Sequence, residues 1–96
     1  MLKKTVVVKN KSGLHARPAS IFVQIANKFD SEIMVKKDSQ TVDGKSIMSL
    51  LTLEIGQGSV LELIARGEDA ATAVRELENF LLKENIDDYE TGKSPR

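Results

Sequence analysis

"SGLHARPASIFVQIANKF" (residues 12–29) is where the periodicity of this chain changes. Upstream of it Thr5 to Val8 is β-branched throughout and "NKSG" (residues 10–13) is turn chemistry, which predicts a first strand over residues 2–8. From Ala16 the apolar residues Ala19, Phe22, Val23, Ala26 and Phe29 follow the i, i+3, i+4, i+7 spacing of a buried helix face, so a helix is predicted over residues 16–28. Pro18 does not oppose it, because first-turn amides have no acceptor within the helix. A strand that turns at glycine into an amphipathic helix favours an α+β fold for the rest of the chain.

Beyond the helix, "EIMVKK" (32–37) and "QTVD" (40–43) read as a short hairpin with Ile33 and Val35 on one face. In "DGKSIMSLLTLEIGQGS" (43–59) Gly44 breaks the chain, Ser46 suits an N-cap, and Ile47, Leu50 and Leu51 share the spacing of a short helix that Gly56 and Gly58 are expected to end. "VLELIAR" (60–66) reads as a strand closed by Gly67. "EDAATAVRELENFLLKE" (68–84) comes next, with Ala70, Ala73, Val74, Leu77 and Leu81 as its apolar stripe and Asp69 as its expected N-cap. The sum is β-α-β-β-α-β-α: an α+β domain with helices on one face of a small, largely antiparallel sheet. Residues 1–85 are read as one domain and "IDDYETGKSPR" (86–96), which has no periodic pattern, as a loose tail.

Ninety-six residues with 41% apolar content leave room for a single core that buries roughly two thirds of the unfolded chain's surface. Cysteine is absent, so a disulfide framework, a thiolate nucleophile and a cysteine-based metal centre are excluded, which fits a reducing compartment. The apolar run Val6 to Val8 ends at Lys9, too short for a signal-peptide core or a membrane span, and a cytoplasmic location is expected. Net charge is zero but unevenly placed: residues 1–48 carry 9 Lys and Arg against 4 Asp and Glu, and residues 49–96 carry 5 against 10. The basic half suits an anionic ligand or an acidic partner surface, or is simply a solvated face.

That basic half contains His15, the single histidine of the chain. With a helix starting at Ala16, His15 occupies the N-cap, a place usually given to Ser, Thr, Asp or Asn. Helix amides there carry partial positive charge, which favours the neutral imidazole with a ring lone pair available for nucleophilic attack, and no separate base is required. The same amides, those of Ala16 and Arg17, can point at the oxygens of a phosphoryl group once it arrives, and the Arg17 guanidinium adds the charge stabilisation that phosphoryl transfer chiefly demands. Gly13 allows the tight turn that keeps His15 exposed. A lone histidine is more often a surface or packing residue; these neighbours favour a transient phosphohistidine. One histidine without cysteines makes a poor metal shell, and neither a metal nor another cofactor is expected.

"GLHARPAS" (13–20) together with "GKSIMSLLTL" (44–53) resembles HPr, the histidine-containing phosphocarrier of the bacterial sugar phosphotransferase system, over about residues 1–85. The resemblance implies the HPr-like open-faced β-sandwich, a four-stranded sheet with three helices on one side. It implies that His15 is phosphorylated on a ring nitrogen by phosphorylated Enzyme I, which draws on phosphoenolpyruvate, and that the group passes to enzyme IIA units of sugar permeases, with Arg17 as the arginine beside the histidine. It also implies that Ser46, a plain N-cap on the residues alone, is the serine phosphorylated by the ATP-dependent HPr kinase/phosphorylase in the Gram-positive type, where the product partners the catabolite control protein. A phosphate at that cap would add charge to a docking surface without melting the helix.

A short helix cannot bury every side, so part of the group Ile47, Met48 and Leu51 is expected to form an exposed apolar patch, rimmed by Arg17, Lys45 and Lys11, as the footprint for partners. The chain is expected to be a monomer and a transfer intermediate rather than a free-standing enzyme. Two other classes compete. A purely regulatory module acting through phosphorylated Ser46, as in HPr-like paralogues that lack the histidine, is disfavoured by the presence of His15. A nucleic-acid binder is disfavoured by zero net charge and 4% aromatic content.

Overall fold

The computed structural model describes residues 1–84; the expected loose tail of 86–96 lies outside them. Its elements are β1 (Leu2–Val7), α1 (Ala16–Ala26), β2 (Glu32–Lys37), β3 (Gln40–Asp43), α2 (Ile47–Thr52), β4 (Val60–Arg66) and α3 (Ala70–Leu82). This is the expected order. The four strands form one antiparallel sheet in the order β1-β4-β2-β3, so β4 enters between the first strand and the hairpin. Pairing of Val6 with Leu61 and of Leu63 with Val35 brings alternate residues of neighbouring strands to the same face.

That face is the core. Val6, Ile33, Val35, Leu61, Leu63 and Ala65 are buried against Phe22 and Ile25 of α1, Leu50 of α2, and Leu77, Phe80 and Leu81 of α3. The opposite face is open, leaving Val7 and Val60 exposed, as a one-sided sheet requires when no second layer covers it. Helix α1 buries Pro18, Ala19, Phe22, Ile25 and Ala26. The face read from sequence contained Val23 and Phe29 in place of Ile25, but both are only partly buried. Phe29 lies past the end of α1, where the chain no longer follows a 3.6-residue period and sequence spacing stops reporting direction.

Two further details differ from the sequence reading. Asp69 does precede α3, yet its side chain makes no cap bond to its own helix. Its carboxylate accepts instead from the Asp30 amide at 2.9 Å, the Ser31 amide at 3.0 Å and the Ser31 hydroxyl, tying the α1–β2 turn to the start of α3. Three donors from another segment outcompete a single helix amide. The Ser31 hydroxyl first, then the Asp30 amide, hold the Asp69 carboxyl below its ordinary value. Second, α2 ends before Gly56: Leu53 is its C-cap, and Glu54 takes the left-handed conformation with φ of 51°. Gly56 lies outside that region.

Candidate functional site

The site is assembled at the β1–α1 connection. Gly13 has φ of 64°, and a Cβ built there would meet the carbonyl oxygen of Ile55 and approach the Cα of Gly56 to 2.7 Å, so the position requires glycine for both conformation and space. The turn closes with the Gly13 amide donating to the Asn10 carbonyl at 3.0 Å, and the next amide, of Leu14, donates to the Ile55 carbonyl at 2.9 Å. Leu14 is buried. The residue immediately before the histidine is therefore pinned to the segment after α2.

His15 is the N-cap of α1, as read from sequence, with extended backbone (φ −76°, ψ −166°). Its carbonyl accepts the first helical bond, from the Ala19 amide at 2.9 Å. Its side chain makes no cap bond to the helix and is exposed to solvent. Imidazole, first-turn amides and the exposed Arg17 side chain all belong to the same helix end, where the dipole favours negative charge.

Helix α2 packs against α1. Ser46 is its N-cap with the hydroxyl accepting from the Ser49 amide at 3.2 Å, which is the bond expected of that residue type. Leu50 is buried, Met48 is 72% exposed, and Ile47 and Leu51 are half-buried. Leu51 lines, together with Leu14, His15, Glu54, Ile55 and Gly56, a shallow hollow of about 270 Å³ beside the imidazole. Lys45 is half-buried, and its ammonium is held by the Phe29 carbonyl at 2.7 Å. Lys11 is exposed, and its amide donates to the Glu84 carbonyl at 3.0 Å.

Glu54 had no place among the sequence candidates. A signal was available in "LEIGQGS" (53–59), where the residue just past a helix carries the left-handed turn. Nearby Gly56 and Gly58 drew that role, since glycine is the usual occupant. Among the described residues no group of three or more His, Cys, Asp and Glu side chains is arranged to hold a metal ion. No helix among them is long and apolar enough to cross a membrane.

Residues 2–83 match the family model described as PTS-HPr, "PTS HPr component phosphorylation site". The HPr-like protein Crh of Halalkalibacterium halodurans is 51% identical over 84 residues, 88% of this chain and 100% of its own length. Among solved structures, the phosphocarrier protein HPr of Bacillus anthracis is 44% identical with a TM-score of 0.82, covering 83% of this chain and 95% of that one. Crh of Bacillus subtilis, solved as a domain-swapped dimer, is 42% identical with a TM-score of 0.70, covering 88% of this chain and 98% of that one.

Proposed function

The chain belongs to the HPr family, and we propose that within it this protein is a cytoplasmic phosphocarrier that accepts a phosphoryl group on His15 from phosphorylated Enzyme I and passes it to enzyme IIA units. The observation that carries the reading is an exposed imidazole at the N-cap of α1 that makes no cap bond of its own. In the transfer, a ring nitrogen lone pair attacks phosphorus as the bond to the donor breaks. The first-turn amides and the Arg17 guanidinium stabilise the equatorial oxygens while charge spreads over them. Onward transfer reverses this, with the N–P bond breaking as the acceptor attacks. Met48, with Ile47 and Leu51 beside it, supplies an apolar footprint on α2, and Leu51 carries it to the hollow beside the histidine.

A second reading is a regulatory module acting through phosphorylated Ser46, and it is favoured by the 51% identity to a protein named HPr-like protein Crh. The presence and exposure of His15 support the carrier reading over it. Ser46 is compatible with both, since its hydroxyl caps α2 at a partly open position. Incubation with Enzyme I, phosphoenolpyruvate and magnesium should give an acid-labile, base-stable label that vanishes in His15→Ala; a wild-type protein that takes no label would end the carrier reading. With ATP and an HPr kinase, an acid-stable label should form and be lost in Ser46→Ala. We take the protein to be a monomer in solution, against the swapped dimer solved for the Bacillus subtilis relative.

A further inference from the structure

The hollow beside His15 is lined in part by an acidic residue, Glu54, for which phosphoryl transfer itself has no use. Glu54 comes directly after the C-cap of α2 in the left-handed conformation, φ 51°, a place where glycine or asparagine is less strained. Its backbone is held there from two sides. The Lys37 ammonium donates to the carbonyls of Leu53 at 2.9 Å and Glu54 at 3.2 Å. The next carbonyl, of Ile55, accepts from the Leu14 amide at 2.9 Å. One hydrogen bond thus joins the residue after Glu54 to the residue before His15, and Glu54 and His15 line the same hollow. Among the described residues no hydrogen bond or ion pair engages the Glu54 carboxylate. It is exposed, so packing does not account for it.

We propose that Glu54 sets the phosphoryl-transfer potential of His15 by placing, at the hollow that the imidazole also lines, a charge of the same sign as the phosphoryl group. This rests on the carrier reading. The unphosphorylated imidazole brings no negative charge, and the phosphoryl group brings close to two, so the carboxylate destabilises the loaded state relative to the empty one. The bond that responds is the N–P bond. When it breaks, its electron pair returns to the ring nitrogen, phosphorus bonds the acceptor's attacking atom, and the repulsion is relieved. Glu54 in this role is a tuning residue that favours handing the group on rather than retaining it.

The test is the equilibrium ratio of phosphorylated to free protein in a mixture of Enzyme I, magnesium, phosphoenolpyruvate and pyruvate at fixed proportions. Glu54→Gln keeps the side-chain size and the backbone strain but removes the charge. It should raise the ratio about three- to tenfold at low salt, with the gain shrinking at about 0.5 M salt. Glu54→Asp should stay near wild type, because the charge is kept. A purely structural role would move the melting temperature of Glu54→Gln and leave the salt dependence of the ratio alone. If the wild type loads and Glu54→Gln shows the same ratio at low salt, this inference is overturned and the carrier reading stands; if the wild type does not load at all, both fall.

Discussion

Gly13 and Glu54 both have positive φ, and each adjoins one end of the Leu14–Ile55 hydrogen bond beside the histidine. Gly13 meets the demand without a side chain, and its replacement has a definite cost. Gly13→Ala would have to adopt φ near 64° and push its Cβ into the backbone of Ile55 and Gly56, neither of which is the flexible end of a side chain. We expect a loss of about 2 kcal/mol or more in denaturant unfolding, together with slower loading of His15 because the loop before it is displaced. A stability within about 0.5 kcal/mol of wild type would show that the turn is not the constraint described. The positions of His15, Arg17 and Ser46 at the starts of α1 and α2 were legible in the sequence because each sits beside a local signal: a turn glycine, a first-turn proline, a capping position. Glu54 was not, since nothing in a glutamate announces a left-handed backbone, and two nearby glycines offered a simpler account.

At the scale of elements, the amphipathic stripes, the hairpin and the order β-α-β-β-α-β-α could be read from period and turn chemistry, and the strands lie within a residue of where they were expected. Long-range side-chain ties could not. Asn10 is fully buried, and its amide nitrogen donates to the carbonyls of Phe80 at 3.1 Å and Lys83 at 2.6 Å; the Lys9 amide donates to the Leu81 carbonyl at 2.8 Å. The end of α3 therefore holds the loop that leads to His15, through partners about seventy positions away in sequence. Asp69 is the same kind of case at the other end of α3. Because its carboxyl is depressed by hydrogen bonds present only in the folded chain, it contributes stability at pH values above the ordinary carboxylate value of 3.8, and that contribution is lost as the pH falls through the depressed folded value. The melting temperature of Asp69→Asn should accordingly lie below wild type near neutral pH and converge on it in strong acid. A gap that stays constant down to about pH 2 would remove Asp69 as a source of acid sensitivity.

For the molecule as a whole, one sheet face carries the core and helices, and the turn before α1, which leads to His15, is hydrogen-bonded to the segment after α2. The basic excess of the first half contributes the Arg17 side chain to the start of α1 and, through the steering of acidic partners, should act on encounter rates more than on final affinity. The carrier role requires that a phosphoryl group reside on a nitrogen of the exposed imidazole at the start of α1. Phosphorus NMR of the protein loaded by Enzyme I and phosphoenolpyruvate tests it without mutation: a phosphoramidate resonance that correlates with the ring protons of His15 is predicted. A resonance of phosphate-ester type, or one with no correlation to that ring, would contradict it.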